Sequence, residues 1–114
     1  MLLNEGLEEV ATQYNDLITK GQWGTSTTAP VITDLGLGLP ISSTLLAMTS
    51  TSNGNGIKLT HNVNSATANG EAFSEHETQF ADGSSFNKIV LNVVINKTSA
   101  FSVSTDTIVT FLRG

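Results

Sequence analysis

Cysteine is absent from this chain, which excludes a disulfide framework and any thiolate metal site and leaves the redox compartment open. Basic residues are few: Lys20, Lys58, Lys88, Lys97 and Arg113 lie scattered through a sequence of net charge −5. A nucleic-acid backbone requires clustered Lys and Arg, so no nucleic-acid partner is expected. Charged residues of both signs make up 13% of the chain, about half the usual share of roughly 25%. The surface must then be built from Ser, Thr, Asn and Gly, a composition common where surface becomes interface. No apolar run approaches the length of a membrane span, and no membrane partner is expected. The N-terminus turns acidic at Glu5, which does not fit a secretory leader. At 114 residues the chain is sized for one domain with a single modest core.

What is present is β-structure. In Phe86 to Phe101, FNKIVLNVVINKTSAF, residues Ile89, Leu91, Val93 and Ile95 alternate onto one face without interruption. Val90, Asn92, Val94 and Asn96 occupy the other. β-Branched enrichment and period-two alternation predict a long strand with one face on a core. The half-apolar reverse face, with Val90 and Val94, suggests a second contact with another subunit. Ile57 to Asn64 alternates as cleanly, placing Ile57, Leu59, His61 and Val63 together.

The first residues read differently. Leu3, Leu7, Val10, Tyr14 and Leu17 follow spacings of three and four, which predicts a helix over 1–22. Asn4 suits its cap, Glu5, Glu8 and Glu9 its first turn, and Lys20-Gly21 its close. The stripe can pack on the chain's own sheet or, through Leu3, Leu7 and Tyr14, on symmetry mates. Residues 23–114 then form the β-sandwich. Ile41 to Met48 reads as a short strand and Thr49 to Gly56 as a polar loop. Asn69-Gly70 marks a tight turn before a strand from Ala72 to Phe80, and Ala81 to Ser85 turns the chain again.

The run from Trp23 to Leu37, WGTSTTAPVITDLGL, resembles the GTGTTAPTxxDTAL signature of small virion proteins of tailed bacteriophages and related archaeal viruses. Leu3-Asn4-Glu5-Gly6 is similar to the LTNxG helix that precedes it. Glu75 to Phe80 resembles the family's Glu-containing segment loosely, since the expected glycine is missing. Val93 to Thr98 and Asp106 to Phe111 resemble its last two strands. The resemblance implies a structural role in the virion, most simply as a capsid decoration protein. A tail, neck or baseplate component is the alternative. It also implies a homo-oligomer, trimer favoured, contacting major capsid or tail proteins.

Chemical motifs are sparse. Gly54-Asn55-Gly56 lacks the third glycine, the lysine and the helix of a phosphate loop. Glu75-His76-Glu77 is the densest ionisable group, with His61 on what could be a neighbouring strand. On a strand both glutamates face one way and His76 the other, which spoils a shared metal site and predicts an exposed polar strand or a subunit contact. No nucleophile elbow occurs, and Asn96-Lys97-Thr98 reads as a plain turn. No catalytic, metal or cofactor site is predicted. The fold expected is a mainly β, jelly-roll-like antiparallel sandwich of six to eight strands with one N-terminal helix. Its interface candidates are Leu3, Leu7, Tyr14, Trp23, Val90 and Val94, with Trp23 and Leu35 as apolar clamps around the signature. A receptor-binding or carbohydrate-binding sandwich is a further reading, weakened by an aromatic content of 6%.

Overall fold

The computed structural model describes residues 17–31, 35–53 and 56–110. Seven strands lie among them: β1 (Ile18–Gly24), β2 (Leu46–Ala47), β3 (Thr49–Asn53), β4 (Gly56–Val63), β5 (Ala72–Phe80), β6 (Ser85–Asn96) and β7 (Val103–Thr110). A short 3-10 turn, Ser42–Thr44, precedes β2. The strands form two antiparallel sheets, ordered β2-β1-β5-β6 and β3-β4-β7. The mainly β sandwich expected from the sequence is therefore the fold observed.

The core lies between the sheets in two adjoining clusters. Trp23 and Phe73 from the first sheet meet Val63 and Val103 from the second, with Ile41 closing one end. Ile18 meets Ile57 and Leu59 in the other cluster. The alternation of β4 holds as read: Ile57, Leu59, His61 and Val63 are all completely buried. Their common face packs on the first sheet, and Lys58 and Asn62 point outward between them.

Four expectations need correction. The helix read over 1–22 does not reach its predicted end, because Ile18 to Gly24 is strand β1. Gly21 is no helix cap. A Cβ there would lie 2.6 Å from His61 Cγ, so the glycine lets an imidazole from the opposite sheet rest on the β1 backbone. The predicted polar loop at Thr49 to Gly56 contains β3, which pairs with β4 from Thr49↔Thr60 to Asn53↔Gly56. The predicted strand Ile41 to Met48 is mostly the 3-10 turn, with only two residues of β2. Leu3, Leu7 and Tyr14 lie outside the described residues.

The long strand is present as β6, but it is an edge strand and its apolar face is not continuous. Its pairing with β5 is irregular between Val90 and Ile95, where the ladder jumps from Glu75↔Val90 to Phe73↔Ile95. Leu91 and Ile95 pack against the core, whereas Ile89 and Val93 are exposed, Val93 by 79%. A bulge breaks the period of two, so residues of like parity no longer share one environment.

Candidate functional site

β5 carries the polar centre of the molecule. Every residue from Phe73 to Gln79 is buried, including Glu75, His76 and Glu77. The exposed polar strand expected from EHETQF is thus overturned, because both faces of β5 are covered. Its inner face meets the second sheet. Across its outer face lie Ser26, Gly36, Gly38 and Leu39 of the connection from β1 to the 3-10 turn.

Glu75 fastens that connection. Its carboxylate accepts backbone N–H groups from Ser26 (3.0 Å), Gly38 (2.9 Å) and Leu39 (2.9 Å). Three N–H donors converging on one carboxylate meet its lone pairs and offset the cost of burying it. Lys88 lies 3.8 Å away and donates to Gly36 O at 3.1 Å, so the cation bridges the strand and the same segment. Ser74 adds a bond to Ser26 O at 2.9 Å. The β5 irregularity between Phe73 and Glu75 permits this, since Ser74 and Glu75 then both reach the segment. Gly24 is the second glycine the geometry demands: a Cβ there would sit 2.4 Å from Glu75 Oε2. Beside this latch, Gln79 Nε2 donates to Glu77 Oε1 and to Gln22 Oε1. Glu77 Oε2 is buried with no hydrogen-bond partner among the described residues.

On the inner face His76 meets His61, with Nδ1 of His61 2.9 Å from Nε2 of His76. His61 therefore comes from the facing sheet, not from a neighbouring strand. Its Nε2 lies 2.8 Å from Thr44 O. Burial holds the His61 pKa below the ordinary value despite the Thr44 carbonyl. Burial, and then the adjacent His61, lower that of His76 to about 3. No group of three or more His, Asp and Glu suited to a metal ion occurs among the described residues.

Of the interface candidates, Trp23 is a core residue. It stacks on Phe73 at 5.1 Å between ring centroids and touches His76 at 4.6 Å. Leu35 cannot be its partner clamp, being 96% exposed. Val90 is half-buried opposite Glu75, and Val94 is exposed. Val94 joins Ile89 and Val93 on β6, and Ile108 projects from β7, one of the two outer strands of the other sheet. Exposed apolar side chains also stand on the connection between β1 and the 3-10 turn, at Val31, Leu35 and Leu39.

Lys97, in the sequence one scattered cation within a plain turn, has a structural role. It is buried, and its ammonium donates to Asn69 Oδ1 (2.8 Å), Thr98 O (2.9 Å) and Ser65 O (3.3 Å), with the Phe101 ring 5.7 Å away. It pins the β4–β5 connection to the β6–β7 connection, and Gly70 N donates to Lys97 O at 2.9 Å. Gly70 has φ +88°, so the predicted Asn69-Gly70 turn is in place. An open cleft of about 470 Å³ lies beside Thr25, Pro40, Ser42, Ser43 and Glu71, and neither histidine reaches it. Among the described residues no helix is long and apolar enough to cross a membrane. No protein-family model, curated protein or solved structure matches this chain.

Proposed function

We propose that this protein is a non-enzymatic assembly module that works as a homo-oligomer, and that its place is in a virion, as a capsid decoration protein of a tailed virus. The observation that carries the assembly reading is the β6 edge. Soluble proteins protect exposed edges with charge, proline, bulges or very short strands, and of these devices β6 has the bulge. β6 runs for twelve residues without proline, and its single charge, Lys88, is turned inward toward Glu75 and Gly36. A long edge bearing exposed Ile89, Val93 and Val94 is suited to cover by another subunit. The virion assignment rests on the resemblance of the Trp23–Leu37 segment and of the last two strands. The role of that segment agrees with it, because the segment is bound as a structural cover through backbone N–H groups.

Further features favour assembly over recognition of nucleic acid or sugar. Lys88 and Lys97 are both withdrawn from the surface, which leaves even fewer cations for a phosphate backbone than the sequence suggests. The single tryptophan is in the core and offers no stacking platform. Analytical ultracentrifugation at micromolar concentration tests the proposal. The wild type is expected to sediment as an oligomer and Val93→Lys as a smaller species with unchanged circular dichroism. A monomeric wild type would overturn the oligomer. A reconstruction of the particle carrying the chain, with the protein absent from the head surface, would reject the decoration role and favour a tail, neck or baseplate position.

A further inference from the structure

His61 of β4 and His76 of β5 meet in the middle of the sandwich, and their hydrogen bond crosses from one sheet to the other. The proton positions follow from the third partner. Thr44 O can only accept, so His61 carries its hydrogen on Nε2 and presents a lone pair at Nδ1. The hydrogen between the rings then belongs to Nε2 of His76. Both rings are neutral in this arrangement. The rings are tilted by 44° with centroids 5.0 Å apart, and the β1 backbone at Gly21 lies against His61, leaving that ring no room to swing away.

The charged groups on the surrounding elements face elsewhere. On β5, Glu75 and Glu77 occupy the outer face, as does Lys88 on β6. Lys20 on β1 pairs with Gln79 on that same face. Lys58 on β4 is exposed, and Asp106 on β7 is exposed and bonded to Thr60. β2, β3 and the 3-10 turn carry no titratable side chain. No carboxylate among the described residues is in place to stabilise an imidazolium here.

We propose that the His61–His76 bridge is an acid-release clasp, holding the two sheets together when neutral and forcing them apart in mildly acid surroundings. A first added proton goes to Nδ1 of His76, which keeps the bond between the rings, or to His61 if His76 moves its own hydrogen to Nδ1 and accepts with Nε2. Either way a cation is left in the core without an anion. A second proton leaves two N–H donors aimed at each other and two like charges 2.9 Å apart. The lowered pKa of each ring is in keeping with this geometry. The sign follows. The unfolded chain takes up protons near pH 6.5 while the folded pair resists, so stability is full above that value. It is lost as pH falls from about 6.5 toward the lower folded values. The clasp does not depend on the virion reading, because it acts within one chain.

The test compares denaturant unfolding of the full chain at pH 6 and pH 5, at fixed protein concentration, for the wild type and His76→Gln. With both imidazoles neutral in the fold, the wild-type unfolding constant should rise roughly 60-fold over that unit of pH. His76→Gln keeps an N–H for His61 Nδ1 but removes one titrating group, so its rise should be roughly eightfold. Equal pH sensitivity in the two proteins would overturn the proposal. If His76→Gln does not fold, imidazole nitrogen NMR on the wild type decides instead. Folded rings that stay neutral to pH 5, with His61 protonated on Nε2, support the clasp; a folded ring titrating near pH 6.5 refutes it.

Discussion

β5 and β6 are neighbours in one sheet and share a ladder, yet their burial is the reverse of their composition. β5 reads AFSEHETQF and is buried from Phe73 to Gln79; β6 reads SFNKIVLNVVIN and has no residue in full burial. The difference is one of position. β5 is flanked by β1 and β6, faces the second sheet on one side and lies under Ser26, Gly38 and Leu39 on the other. Among the described residues β6 pairs on one side only. Burying polar side chains is tolerable when every donor and acceptor is met, and Glu75 meets that condition through three backbone N–H groups. Ile89, Val93 and Val94 of β6 have no such cover among the described residues.

The contrast can be broken most severely at Glu75. Glu75→Ala would strip a buried carboxylate from three N–H donors and from Lys88, at a cost of about 3–5 kcal/mol. Chemical denaturation would read the loss, and hydrogen exchange should quicken at Ser26, Gly38 and Leu39. Next in size is Gly21→Ala, whose new methyl would meet His61 at a distance no side chain tolerates. About 2–3 kcal/mol should be lost, with displaced His61 ring resonances. Leu91→Asp, on the core-packed part of β6, should cost about 2 kcal/mol by burying charge at a half-buried site. Val93→Asp, two residues away and exposed, should stay within about 0.5 kcal/mol of wild-type monomer stability while weakening self-association in ultracentrifugation. A Val93→Asp protein as unstable as Leu91→Asp would mean that the two residues share one environment after all.

Much of the fold could be read from the chain because β4 alternates without exception and Gly70 and Gly83 take the left-handed turns foreseen for them. β1 could not be read. Leu17, Lys20 and Gly21 satisfy a helical stripe and its cap, whereas the reason for Gly21 is a histidine forty residues later. The alternation of β6 was real, but neither its edge position nor its bulge leaves a local signature. The Glu75 latch was equally hidden, because backbone N–H groups have no sequence identity and those of Gly38 and Leu39 lie more than thirty residues away. Of the candidate interface residues, Val90 and Val94 share a parity, yet only Val94 is exposed, because the bulge lies between them. Trp23 is an apolar anchor as expected, but its partner is Phe73, fifty residues on, and not Leu35, which no local pattern could show.

The oxygen cage around Lys97 also makes that residue a reporter. An amine whose three hydrogens are all engaged cannot present its lone pair to an acylating reagent, nor its side chain to the specificity pocket of trypsin. Exposed Lys58 should label and be cut first, with Lys97 silent for as long as both connections stay joined. Acylation of Lys97, or a tryptic cut behind it, would time the moment at which that end of the sandwich comes undone.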